Sequence, residues 1–308
     1  MTNQTEKALE ALQKGTQLLR AGKPEKALRA FEEGIRLKPD NAEAWSNMGV
    51  ALGRLGRYEE ELRAYGEALR FKPDYAEVWC NMGVALGSLG RYEESLKTYA
   101  EALRLKPDYA EAWSGKGVAL GRLGRYEEEL RAYGEALKLK PDYAEAWYNT
   151  GVALGRLGRC EEELKAYEEA LRLKPDYAEV WYNTCVALSS LGCNEQALRA
   201  YGKALKLKPD YAEAWNNRGN SLIRLDKPDE ALKDFDKAIK LNYNFPRAWY
   251  NKGVALQRLS RGKQAEEAIE KALELDPKYM EAKKLWHSSG RRKQAEGNGG
   301  LVCQCGRK

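Results

Sequence analysis

Apolar and small residues recur along the chain with the spacing of an α-helix, and the helical stretches themselves recur. In residues 74–109, DYAEVWCNMGVALGSLGRYEESLKTYAEALRLKPDY, the residues Trp79, Gly83, Leu86 and Leu89 stand three or four apart. That spacing lines them along one face and predicts an amphipathic helix. Asp74, followed three residues later by Glu77, has the spacing of a capping box at its start. Gly90 follows the last apolar position, where a residue able to turn left-handed ends a helix. A second stripe of Tyr92, Leu96, Tyr99, Ala102 and Leu103 predicts a second helix, which Pro107 stops. Small Gly83 and Ala102 would let the two helices approach closely, with Trp79 filling the space between them.

The helix pair is one copy of a unit. Trp45, Trp79, Trp113, Trp147, Trp181, Trp215 and Trp249 recur every 34 residues without slippage, and Pro39, Pro73, Pro107, Pro141, Pro175 and Pro209 keep the same interval. Self-similarity at this period is the mark of a repeat architecture. With each tryptophan fourth in its unit, eight units run 8–41, 42–75, 76–109, 110–143, 144–177, 178–211, 212–245 and 246–279. Residues 1–7 are a short leader. Residues 280–289, which include Leu285 and Trp286, are expected to form a helix covering the open face of the last unit. Residues 290–308 are rich in glycine and basic residues and are expected to be disordered.

The pattern W-x3-G-x2-L, an aromatic residue in the second helix, a small residue three later and a closing proline resembles the tetratricopeptide repeat. The resemblance covers residues 8–279. It implies an all-α fold, a right-handed superhelical solenoid of antiparallel helix pairs whose first helices line a concave groove. The sequence departs from the family pattern in two places. The seventh position, usually leucine, is Lys116, Thr150, Thr184, Arg218 or Lys252, and the twentieth, usually alanine, is Glu61, Glu129 or Glu163. Long side chains can lay their stems on apolar surface and keep their charge in water, so these departures leave the fold expectation standing.

Positions two, six, nine and thirteen of each first helix share a stripe that is not the tryptophan stripe. Stacked units turn them into rows: glutamates such as Glu43 and Glu77; asparagines Asn47, Asn81, Asn149, Asn183, Asn217 and Asn251; valines such as Val84 and Val118; and arginines Arg54, Arg122, Arg156, Arg224 and Arg258. An amide side chain both donates and accepts, so an asparagine row can pair with successive peptide groups of an extended chain. The repeat arm of O-GlcNAc transferases is similar in this respect, although nothing resembling the transferase domain follows. Tyr148, Tyr182 and Tyr250 would add stacking surface, and Gly115 interrupts the asparagine row. The same rows could instead be solvated positions copied by duplication, since units 42–75 and 110–143 differ at four of 34 positions. The arginines could equally pair within the molecule with runs such as Glu127-Glu128-Glu129. The tryptophans and the tyrosines of the Tyr58 and Tyr65 type read as core.

Charge and composition narrow the function. Of the net +6, residues 280–308 supply +5, from seven basic residues against Glu281 and Glu296, so the repeat region is nearly neutral. That balance argues against a nucleic-acid binder driven by backbone charge. The N-terminus has no apolar stretch of a secretory signal, and the apolar residues are too scattered for a membrane span. The single histidine, His287, has no evident partners for a Cys–His nucleophile. The GRLGRY glycines are helix-end punctuation and not a phosphate loop. The cysteines Cys80, Cys160, Cys185 and Cys193 occupy different repeat positions, and Cys303 with Cys305 falls short of the four ligands of a structural zinc site. The expectation is therefore a cytoplasmic, non-catalytic scaffold or adaptor without cofactor or metal. It would hold an extended peptide or a helix of a partner protein in its groove, with room for self-association through the solenoid ends. The alternatives are RNA binding through the arginine row and the Arg291-Arg292-Lys293 tail, or a place as an accessory subunit of an enzyme complex.

Overall fold

The computed structural model describes residues 3–287. The tail 290–308, with its cysteines and basic run, lies outside the described residues, as do the ends of the leader and of the expected terminal helix. The described residues fall into two bodies, one ending at Leu173 and one beginning at Lys174. The first holds the helix pairs α1 (Asn3–Arg20) and α2 (Pro24–Leu37), α3 (Ala42–Arg54) and α4 (Tyr58–Phe71), α5 (Ala76–Ser88) and α6 (Tyr92–Leu105), α7 (Ala110–Arg122) and α8 (Tyr126–Leu139), and α9 (Ala144–Arg156) and α10 (Cys160–Leu173). The second holds α11 (Ala178–Ser190) and α12 (Asn194–Leu207), α13 (Ala212–Arg224) and α14 (Pro228–Leu241), and α15 (Pro246–Arg258) and α16 (Gly262–Leu275). A last helical stretch, α17, covers 280–287, and the described residues contain no strand. The fold is an all-α solenoid of antiparallel helix pairs.

In each body every first helix packs on its own second helix and then on the next pair. Successive first helices also touch, α3 on α5 and α5 on α7 for example, whereas no two successive second helices make comparable contact among the described residues. The first helices therefore lie on the inner side of each stack and the second helices, spread further apart, on the outer side. The position-six and position-nine residues of the first helices sit on that inner face.

The core is built from rings and alanines. Phe31, Tyr65, Tyr133, Tyr167, Tyr201 and Phe235 of the second helices are among the largest fully buried side chains, and Ala68, Ala102, Ala136 and Ala170 are fully buried beside them. The expected core tyrosines at the helix starts, such as Tyr58 and Tyr92, are only half-buried. The tryptophans are also half-buried, and their role differs from the expected filler. Each indole N–H donates to the carbonyl six residues earlier: Trp45 to Pro39 at 2.8 Å, Trp79 to Pro73 at 2.9 Å, Trp113 to Pro107 at 3.0 Å. In the last unit, where the proline is replaced, Trp249 reaches Tyr243 at 3.1 Å. The indole thus packs one face on the core and pins the proline turn with its polar edge, which an amphipathic ring can do and an aliphatic side chain cannot.

The expected capping box does not form. α5 begins at Ala76 with Tyr75 in the cap position and no side-chain bond, so Asp74 stands one residue too early to cap. At α3, where an asparagine occupies that position, a cap does form, Asn41 accepting from the amides of Glu43 and Ala44 at 3.0 and 3.1 Å.

The turn inside each pair requires a left-handed residue. Glycine supplies it at Gly22, Gly56, Gly90, Gly124, Gly158 and Gly192, but Asp226 (φ 56°) and Ser260 (φ 60°) hold it in the last two pairs. A non-glycine residue there costs about 1–2 kcal/mol, against which glycine loses some unfolded-state entropy. Ser260→Gly is therefore expected to raise stability by about 0.5–1 kcal/mol in urea unfolding, and a loss of stability would refute the strain assigned to this turn.

Outside the stacks, α17 lays Leu285 and Trp286 beside Ala282 against Ile269 and Ala272 of α16.

Candidate functional site

The inner face carries the rows read from the sequence, and the structure sorts their members. The valines are the most open apolar residues of the face, Val84 being 55% and Val118 43% exposed. The asparagines are all half-buried. In the first body Asn81 hydrogen-bonds the Tyr65 hydroxyl of the preceding pair, while the amides of Asn47 and Asn149 make no side-chain hydrogen bond among the described residues. In the second body the row is woven into the fold. Asn217 donates to the Tyr182 hydroxyl at 2.9 Å and accepts from the fully buried Asn216 at 3.1 Å, and Asn251 donates to Asn216 at 2.9 Å. Asn183 is also engaged. The tyrosines Tyr148, Tyr182 and Tyr250 are half-buried, with ring neighbours Tyr167 at 6.2 Å, Tyr211 at 4.6 Å and Tyr279 at 5.2 Å.

Most of the arginine row serves the stack. Arg54 donates to the Leu19 carbonyl at 2.6 Å, Arg224 to that of Ser189 at 2.7 Å, and Arg258 to that of Ile223 at 2.7 Å. Each carbonyl belongs to the last turn of the preceding first helix, where acceptors lack intrahelical donors and a cation meets the negative end of the helix dipole. Arg156 instead reaches Glu129 at 3.5 Å. Arg122 alone of the five makes no hydrogen bond or ion pair among the described residues. The arginines of the turns are spent on exposed local pairs such as Arg57–Glu60 and Arg125–Glu128, worth little each.

The position-twenty glutamates, which looked like solvated departures from the family pattern, are a feature the sequence analysis missed. Glu61 and Glu129 are 7% and 3% exposed, and Glu163 is half-buried. Each fits a notch left by a glycine at position twelve of its own first helix, Gly53, Gly121 or Gly155. A Cβ on Gly121 would lie 2.5 Å from the Glu129 carboxyl carbon. Each carboxyl also bonds the hydroxyl of the buried tyrosine one turn on, Tyr65, Tyr133 or Tyr167. Burial raises all three carboxyl pKa values. For Glu129 the neighbouring Arg156 opposes the rise. Glu61 has Ser88 where Arg156 would correspond, forms no ion pair among the described residues, and is pushed up to about 7. The signal was present in the sequence: glutamate at position twenty occurs only where position twelve is glycine.

A cavity of about 610 Å³ opens on the inner face between α5 and α7, where Gly115 interrupts the asparagine row. Cys80 at its base bonds Tyr109, and burial raises its thiol to about 11, which leaves it protonated at neutral pH. The described cysteines, Cys80, Cys160, Cys185 and Cys193, are free thiols. The described residues contain no cluster of metal-ligating side chains, and no described helix is long and apolar enough to cross a membrane.

Family models described as tetratricopeptide repeat match residues 12–76, 80–142 and 130–178, and again 212–244 and 246–279, and one described as TPR repeat matches 186–226. No curated protein gives a sequence match. Solved structures do. YrrB, described as a TPR protein with an unusual peptide-binding site, is 24% identical with a TM-score of 0.54 over 61% of this chain and 97% of that one. MamA from Desulfovibrio magneticus RS-1 is 23% identical with a TM-score of 0.51 over 56% of this chain and 97% of its own. The Cut9–Hcn1 assembly of the APC/C is 15% identical with a TM-score of 0.61 over 86% of this chain, which spans about half (52%) of that one. At these identities the likeness is one of fold, while the family models span well over half the sequence. The chain belongs to the tetratricopeptide-repeat family.

Proposed function

We propose that the protein is a non-catalytic interaction scaffold that holds an extended segment of a partner protein against the inner face of its first body. The observation that carries this reading is the coincidence, on one face, of open valines with asparagine amides that have no bond to the fold. Val84 and Val118 offer apolar contact, and Asn47 and Asn149 offer a donor and an acceptor each to a passing peptide backbone. YrrB, of the same fold, is described as having a peptide-binding site, and the family supplies a surface for such contacts without chemistry of its own. In the second body the amides of Asn217 and Asn251 are committed to neighbours, so their part is to set the spacing of the pairs. The arginines that bind helix carbonyls are likewise withdrawn from the surface, and nothing on the described face favours RNA.

The test separates the two halves of the row. Partners are captured with the intact chain from the source cell, and their affinity is then measured by calorimetry. Asn47→Ala with Asn149→Ala is expected to weaken binding by about tenfold or more, the loss of two to four modest hydrogen bonds, with little change in melting temperature. Asn217→Ala is expected to lower the melting temperature instead, because it leaves Asn216 short of a partner in the core. Unchanged affinity in the first variant would place the binding surface elsewhere.

A further inference from the structure

The geometry points to the cavity at Gly115 as a side-chain pocket that takes an arginine of the bound partner segment. The inference rests on the groove reading above and adds a residue preference to it.

The pocket is a local departure in an otherwise copied unit. Of the four positions at which 110–143 differs from 42–75, one exchanges Asn47 for Gly115. The space is taken partly by Tyr99, whose Cζ and hydroxyl lie so close that a Cβ on Gly115 would come within 2.5 Å of each. The second body provides the comparison. Between α11 and α13 the same face is lined by Val186, Ser190, Tyr201 and Arg224, equivalent in type and register to Val84, Ser88, Tyr99 and Arg122 around the first cavity. There Asn217 keeps the row, and the cavity is about 170 Å³ instead of about 610 Å³. Asn217 stands there in place of Gly115, Tyr182 in place of Cys80 and Asn216 in place of Ser114, and these larger side chains accompany the smaller cavity.

The lining decides what fits. Tyr99, Tyr109 and Tyr143 present phenol rings and hydroxyls, and Glu111 and Glu145 stand at the same end as Tyr109 and Tyr143. Glu111 is shared with Lys140 at 3.2 Å, whereas Glu145 forms no ion pair among the described residues. Arg122 also lines the cavity, but it lies eleven residues from Glu111 on α7, about 16 Å along the helix. That exceeds the screening length of about 8 Å at physiological salt, so the cavity has an acidic, aromatic end and a separate basic end. A guanidinium has five N–H donors, no acceptor and a flat face. The acidic end supplies what it needs: carboxylate and phenol oxygens to accept, and rings to stack on. A carboxylate would meet two like charges there. A lysine would use the charge but not the flat face, and ranks second.

The probe is a library of random dodecapeptides displayed on phage, panned against the intact chain and against Gly115→Asn. That substitution places there the residue found beside a tyrosine at the equivalent site, as Asn81 beside Tyr65. It must displace the Tyr99 ring, so circular dichroism melting checks the fold. Glu145→Gln, at an exposed residue, carries the test if the variant is unfolded. The expected result is an enriched set with arginine at one fixed position, lost in Gly115→Asn and reduced in Glu145→Gln. Replacing that arginine by alanine in a selected peptide should lower affinity by about tenfold for the intact chain and less than twofold for Gly115→Asn. Enrichment of another residue at the fixed position, or arginine enrichment that survives Gly115→Asn, overturns the pocket and leaves the groove reading intact. No enrichment by the intact chain overturns both.

Discussion

Glu61→Gln is expected to raise the free energy of unfolding by about 3 kcal/mol at pH 8 while leaving it almost unchanged at pH 4.5. The carboxyl is buried against Gly53 with the Tyr65 hydroxyl as its partner, and burial lifts it from the ordinary 4.5 to about 7. Between those values the folded chain keeps a proton that the unfolded chain has released. The folded state therefore binds more protons, and stability falls as pH rises through this window and levels off above it. A displacement of about 2.5 pH units corresponds to about 3 kcal/mol at 1.36 kcal/mol per unit. Glutamine keeps the shape and the acceptor for Tyr65 but cannot ionise, so it removes the cost only where glutamate would be charged. Glu129, Glu163 and Asp234 are raised by burial as well, but they cancel in the difference between variant and parent. Guanidinium unfolding at the two pH values gives the result, and an equal effect at both would refute the burial argument.

Two alanine substitutions in helical glycines are expected to act with opposite sign. By helix propensity alone, Gly→Ala in a helix interior stabilises by about 1 kcal/mol. Gly134, in α8, has no neighbouring atom within 4 Å of where a Cβ would stand, so Gly134→Ala should deliver that gain. Gly117, in α7, faces the Tyr133 ring, whose nearest carbon would lie 2.5 Å from the new methyl. Tyr133 is 1% exposed and its hydroxyl is bonded to Glu129 at 3.2 Å, so the ring has no room to retreat. Gly117→Ala is expected to destabilise by about 2 kcal/mol, the scale of core overpacking. Thermal or urea unfolding of the two variants decides the point. A gain at both sites would mean that the pairs are looser than the contact between Gly117 and Tyr133 indicates.

Each expectation draws on a different part of what the residues reveal. The 34-residue period, the left-handed glycines of the turns and the alanine and ring positions of the core are local or periodic properties. They follow from helix geometry and backbone sterics, which act the same in every copy, so the helix pairs and their stacking were legible from the residues alone. The inner face was legible too, because positions six, nine and thirteen share a stripe whichever neighbours they meet. What individual members of that stripe do was not. Asn47 and Asn217 are the same residue at the same position. Only the packing of the second body, with Asn216 in its core and Tyr182 nearby, ties up the second and not the first.

The order of residues was enough to settle the architecture, because each 34-residue unit repeats the same solution to burying one apolar stripe per helix. Which polar side chains remain available was settled in three dimensions. A tryptophan becomes a pin for a proline turn, an arginine a donor to its neighbour's last carbonyl, and a glutamate a buried acid in a glycine notch, through atoms that lie far along the chain or on another helix. The depth of the groove at Gly115 has the same origin. It depends on how Tyr99 and the two flanking helices share the space around the small residues Cys80, Ser114 and Gly115, and a count along the chain cannot measure that space.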